Sequence, residues 1–253
     1  GGIDGGSGDN TLDFSAYTTG WDVILTGPGS ADGFAGTATG LKAGFDNLDA
    51  LIGSAATTDT LTGLDARSTF NLQPANLQYS STNNLTISGI ETLRGGSADD
   101  TLSFAAFTSG RAIQIDAVGT LDGFDITETH FPGIFQNIDN LIGSAAASDA
   151  LTGLDAPATF DVQLSSVEYL STHSLTISGV EKLAGGKALD TLTFASFASA
   201  RDLVITAVGK VDGFDITEAG FNGVFQNINS LIGSSALADA LTGLDTAANW
   251  LLD

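Results

Sequence analysis

The chain has 253 residues, 32 of them Gly, and 42% of it is hydrophobic, which describes a folded protein with many tight turns rather than a disordered one. Thirty Asp and Glu against eight Lys and Arg give a formal net charge of −22. No basic stripe is available to neutralise phosphate, so nucleic acid and anionic membrane surfaces are excluded as partners. There is no Cys, which excludes disulfides, thiolate metal ligands and a thiol nucleophile. No apolar run approaches the ~18 residues of a membrane span, so no membrane insertion is expected in this segment.

The chain opens at Gly1 without a signal peptide and reads as a mature or excised segment. From residue 5 onward it is a repeat. Three blocks, 5–94, 95–184 and an incomplete 185–253, align without gaps at a period of 90 residues. A period this strict signals one continuous array over 1–253 rather than separate domains. The blocks open GGSGDNTLDF, GGSADDTLSF and GGKALDTLTF, pass through Asp32-Gly33-Phe34 and its two counterparts, and reach LIGSAATTDTLTGLD at Leu51, LIGSAAASDALTGLD at Leu141 and LIGSSALADALTGLD at Leu231. Each block holds a weaker internal copy: Ile177 to Leu192 matches Phe225 to Leu241, in half-steps of 42 and 48 residues.

Within the second block, Arg111 to Ala117, Phe124 to Thr127 and Phe160 to Leu164 alternate apolar and polar residues. That period of two predicts short half-buried strands, and clusters of Gly, Asn, Asp and Ser punctuate them. No 3.6-residue periodicity is sustained, so helix is expected to be minor. One position stands out. Between recurrent apolar pairs sit Asn47, Gly89, Asn137, Gly179 and Asn227. Asn and Gly share tolerance of positive φ, so these five are predicted to be structural bends in the left-handed conformation.

Short strands with one-residue corners predict an all-β fold, a parallel β-solenoid of three ~90-residue repeats. Tandem Ig-like β-sandwiches are the alternative. The internal half-copy and the lack of linkers favour the solenoid, because a sandwich needs no internal sequence copy. At roughly 22 residues per coil, a block would make about four coils and ~19 Å of rod.

Gly5-Gly-Ser-Gly8-Asp-Asn10-Thr-Leu12 resembles the nonapeptide of haemolysin-type calcium-binding repeats, and Gly95 to Leu102 and Gly185 to Leu192 resemble it more loosely. In that family an Asp and glycine-turn carbonyls of consecutive nonapeptides cage Ca²⁺. The resemblance therefore makes Asp9, Asp99, Asp100 and Asp190 calcium candidates. The nonapeptides here are single, the sixth position of the first is Asn10, and the fourth position of the others is Ala98 or Ala188. The competing role for these residues is turn formation, with Asp bonding local backbone N–H groups.

No catalytic constellation recommends itself. His130 and His173 are the two histidines and neither recurs in another block. Asp59, Asp149 and Asp239 recur in every block, whereas a catalytic pair is needed once. A non-catalytic protein is expected, with a glycan-active β-helix enzyme as the weaker alternative. The GGxxxDTL and LIGSxxxxDxLTGLD motifs together make the chain similar to tandem-repeat regions of large bacterial surface proteins, filamentous-haemagglutinin-like adhesins among them. That resemblance implies an extracellular, cell-surface fibre, sheath or stalk, with surface glycans or other cells as candidate partners. A calcium-dependent binding module is the alternative it offers. Neither end carries a charged, Pro-rich or helical cap. The expected native object is a longer rod, formed by a longer chain or by end-to-end stacking of further copies.

Overall fold

The computed structural model describes residues 1–246. Trp250 to Asp253, which the 90-residue period aligns with Phe160 onward and so predicts to enter a strand, lie outside them. Among the described residues there are 27 strands and no helix. The strands form two sheets, of 15 and 12 members, between which the chain crosses repeatedly. The protein is a β-solenoid.

The second repeat shows the winding. Asp100–Ser103 lies in the smaller sheet. The chain then crosses and forms an antiparallel meander of Ala112–Val118, Phe124–Glu128 and Phe131–Ile138 in the larger sheet. Asn140–Ile142 returns to the smaller sheet and Ala150–Thr152 to the larger. A second meander follows in the smaller sheet, Thr159–Val162, Val167–Leu170 and Ser174–Ser178. Lys182–Ala184 closes the repeat in the larger sheet.

Between meanders the coils stack parallel and in register. Leu93 lies beside Leu61 on one side and Phe135 on the other, and Leu151 beside Ile113 and Leu183. Each meander leaps ahead along the stack and steps back. Ala112–Val118 pairs with the later strand Ala150–Thr152, while Phe131–Ile138 pairs with the earlier strand Thr92–Arg94. This back-folding changes the expected rise. Ala112–Val118 and its counterpart Asp202–Val208 stand five places apart in the larger sheet. A 90-residue repeat therefore adds five rungs, about 24 Å at the spacing of paired strands, instead of four coils. The difference arises because a meander places three strands for one crossing.

The half-repeat acquires a geometric meaning. The segment Val224–Ile228 leads from the larger sheet into Ser230–Ile232 of the smaller. Its half-repeat counterpart, Ser174–Ser178, leads from the smaller sheet into Lys182–Ala184 of the larger. Successive halves thus exchange the two sheets, and the chain has an approximate two-fold screw along its axis.

The core lies between the sheets and runs unbroken through all three repeats. Leu61, Leu93, Phe135, Leu151, Leu183 and Phe225 point inward from the larger sheet and are fully buried. Leu102, Leu141, Phe160 and Leu192 face them from the smaller one, equally buried. At roughly 1.5–3 kcal/mol per buried side chain of this size, the interior column drives coiling. The alternating outward residues are mostly Thr, Ser, Gln, Asn and Asp, as a half-solvated strand requires.

Candidate functional site

The corners come first, because they position everything else. Asn47, Asn137 and Asn227 have φ of 59, 55 and 57°, and Gly89 and Gly179 both have φ of 64°. The two residue types divide the work between the sheets. In the larger sheet the first meander turn is long, and the bend side chain closes it. Asn137 Oδ1 accepts the N–H groups of Thr120 at 2.9 Å and Leu121 at 3.3 Å, and its Nδ2 donates to the Gly95 carbonyl at 3.4 Å. Both turns also close through their own backbone, Gly119 N–H to the Gly123 carbonyl at 3.0 Å in the larger sheet and Gln163 N–H to the Ser166 carbonyl at 2.9 Å in the smaller. The smaller-sheet turn is one residue shorter and takes no acceptor from its bend, where Gly stands. A Cβ on Gly143, by contrast, would run into the Gly179 carbonyl oxygen, which explains the invariable Gly of the LIG triplet in this chain.

The aspartates of the Leu-Ile-Gly-Ser motif are staples. Asp149 is fully buried. Its Oδ1 accepts the Arg111 N–H at 2.6 Å, and its Oδ2 accepts the Ser144 N–H at 2.7 Å. Asp59 does the same for Trp21 and Ser54, and Asp239 for Arg201 and Ser234. Each carboxylate ties its own turn to the coil behind it.

The four calcium candidates occupy two kinds of place. Asp100 and Asp190 are fully buried. Asp100 accepts the Gly96 N–H at 2.7 Å and the Ser68 hydroxyl, and Asp190 accepts the Ala158 N–H at 3.0 Å. Burial raises both carboxyls, Asp100 to about 7 and Asp190 to about 6. Asp9 and Asp99 are exposed, and Asp99 pairs with Arg67 at 2.6 Å. The structure does not gather the four together. Among the described residues no three His, Cys, Asp or Glu side chains lie close enough to hold an ion.

An acidic corner does form in the second repeat. Asp139 Oδ2 accepts the Asp100 N–H at 2.8 Å. Burial, then Asp122 and Asp99 nearby, lift Asp139 to about 6. Burial, with Asp99 and Asp65 adding to it, lifts Asp122 as well, opposed by His173. The third repeat shows what this corner looks like with one charge removed. There Asn229 stands in the place of Asp139, accepts the Asp190 N–H at 2.9 Å and donates to Asp212 at 3.1 Å.

A second constellation escaped sequence reasoning. Arg111 is 6% exposed and its Nη2 lies 2.5 Å from Glu128, whose other oxygen is 2.9 Å from His130. The guanidinium carbon sits 4.2 Å from the centroid of Phe107 and 5.6 Å from that of Phe104. The third repeat repeats the arrangement: Arg201 lies 2.8 Å from Glu218 and 4.2 Å above Phe197. In the first repeat these positions carry Trp21 and Ala38, and Trp21 stacks on Phe14 at 4.0 Å. Arg and Glu change together to Trp and Ala, and that joint change was the available signal.

Beside each Arg–Glu pair lies an open cavity, of about 380 Å³ at Phe107, Arg111 and Phe131 and about 430 Å³ at Phe197, Arg201 and Phe221. The two are the same feature 90 residues apart. Each is walled on one side by the smaller-sheet meander of the preceding half-repeat, through Leu77 and Ile87 or Val167 and Ile177. Comparison of the chain with protein-family models, curated proteins and solved structures returned no match.

Proposed function

We propose that this chain is a length-determining segment of a bacterial extracellular fibre, sheath or stalk, a cell-surface structural or adhesive element without catalytic activity. The observation that supports it is the uninterrupted stack. Strands pair across both repeat boundaries in the same register as within repeats, Leu93 beside Phe135 and Leu183 beside Phe225. Each repeat cannot bury its apolar face alone and is completed by its neighbours, so stability and length both grow by adding copies. Its partners in this reading are further copies of the same repeat and the surfaces it meets. The acidic charge keeps neighbouring rods soluble and apart.

The test is a series of chains carrying two, three, four and six repeats, imaged by electron microscopy. Particle length should rise by about 24 Å per repeat at constant width. Compact particles, or a width that grows with copy number, would defeat the reading. So would turnover of glycan substrates by the purified protein.

A further inference from the structure

We infer that the two recurrent cavities beside the buried Arg–Glu pairs are binding sites for a neutral hexopyranose unit of a glycan. This extends the fibre reading, on which it rests only for the linear order of the sites. Three observations carry it. First, each cavity combines partly buried aromatic rings, Phe107 with Phe131 and Phe197 with Phe221, with aliphatic walls and a few fixed polar groups. That mixture, at roughly 300–1,000 Å³, is typical of small-ligand sites. A pyranose matches it, with C–H faces to lie on rings and hydroxyls to meet donors.

Second, both arginines have unspent donors. Arg111 Nε and Arg201 Nε are buried and have no hydrogen-bond partner, while Nη2 of each is held by Glu128 or Glu218. Nε itself is closed off from solvent, so it is the outer edge of the guanidinium that lines the cavity. There Nη1 makes no hydrogen bond among the described residues and can donate to a ligand oxygen while Nη2 stays on its carboxylate. The pair fixes it there, since an unpartnered buried guanidinium would be costly.

Third, charge selects the ligand class. Arg111 and Arg201 are each neutralised locally, in a chain of net charge −22. Such a site offers directional donors without net attraction for anions, and the surrounding field repels polyanions. A neutral sugar satisfies the donors; a uronate or phosphate meets the repulsion.

The two sites lie one repeat apart, about 24 Å along one side of the rod. A single sugar at each would bind weakly. A chain that engages both gains on the order of 100-fold or more from effective concentration alone.

The experiment titrates the protein with neutral tetrasaccharides (cello-, malto- and manno-series) and with tetragalacturonate, following the side-chain Nε–Hε resonances of arginine by NMR. Two of them, from Arg111 and Arg201, are expected to shift with at least one neutral tetrasaccharide below roughly 10 mM, and tetragalacturonate should bind at least tenfold more weakly. The plugged variant Ser88→Trp/Ser178→Trp, altered at outward positions on the cavity rim, should lose at least tenfold affinity with an unchanged melting temperature. The inference is overturned if no neutral sugar moves the two arginine signals. It is equally overturned if the acidic sugar binds as well, or if the plugged and folded variant binds like the parent. The arginine signals read the unmodified chain, so they decide the matter even if the plugged variant fails to fold. Rod length, measured separately, remains the test of the fibre reading.

Discussion

Replacing Asp139 with Asn should stabilise the protein, and more at neutral to alkaline pH than in acid. Asp139 has a folded-state carboxyl at about 6 against an ordinary 3.8, owing first to burial and then to Asp122 and Asp99. Ionisation is therefore harder in the folded chain than in the unfolded one. The sign follows: the protonated group's contribution is complete below pH 3.8 and is lost as pH rises through about 6. At pH 8 the folded state carries the whole cost. At 1.36 kcal/mol per unit this comes to about 3 kcal/mol, which solvent at a half-buried carboxylate reduces to about 1–2 kcal/mol. Asn removes the charge and reproduces the third repeat, where Asn229 accepts the Asp190 N–H at 2.9 Å and donates to Asp212 at 3.1 Å. The added hydrogen bond contributes about 1 kcal/mol. Thermal melts should show a gain of roughly 4–12 °C at pH 8 and a smaller one at pH 4.5, where Asp139 is already protonated in the folded chain. An equal gain at both pH values, or a loss at pH 8, would refute the assignment of the strain to this carboxyl.

The corners and the buried ion pair give further tests, each read by denaturant unfolding. Asn137→Gly keeps the left-handed bend but leaves the Thr120 and Leu121 N–H groups without their acceptor, at about 1–3 kcal/mol; Asn137→Val should cost about 1–2 kcal/mol more for φ of 55°. Gly179→Asn should be nearly neutral, since its Cβ would meet Gly143 no closer than 3.7 Å. Gly143→Ala should prevent the coil from closing, and a stable, native-like Gly143→Ala variant would contradict the corner geometry. Glu128→Ala leaves Arg111 buried without its carboxylate and should cost about 3–5 kcal/mol. Adding Arg111→Trp, which copies the first repeat, should recover most of that loss, and an additive double-mutant cycle would show the two sites to be independent.

Much of the fold could be read from the sequence because the chain is its own alignment. A 90-residue period without gaps leaves few architectures open. The five bends were legible because Asn and Gly have one conformational trait in common, and three Asn with two Gly at one position point to φ rather than to side-chain chemistry. The meanders were not legible. Ile113 and Ile115 alternate with polar neighbours whether the next strand runs parallel or antiparallel, so period two locates strands and is silent on their direction. Asp100 and Asp190 sit in a motif shared by turn-making and metal-binding acids, and only their burial against backbone donors separates the two uses. The Arg111–Glu128 pair spans 17 residues with no local signature. Its cavity is assembled from two half-repeats, which no single motif could announce.

The alternation of sheets between half-repeats sets a rule for how such a chain can change length. Removing or duplicating 90 residues shortens or lengthens the stack by five rungs and returns every outward residue to the same side. An exchange between half-repeats, which their sequence likeness invites, would instead bring the larger sheet's partner surface around by half a turn. The cavities at Arg111 and Arg201 would then stand back to back rather than in line. Whole-repeat steps preserve the phase of the rod's faces; half-steps invert it. A lineage that uses one face for contact is therefore free to vary its reach only in units of the full period.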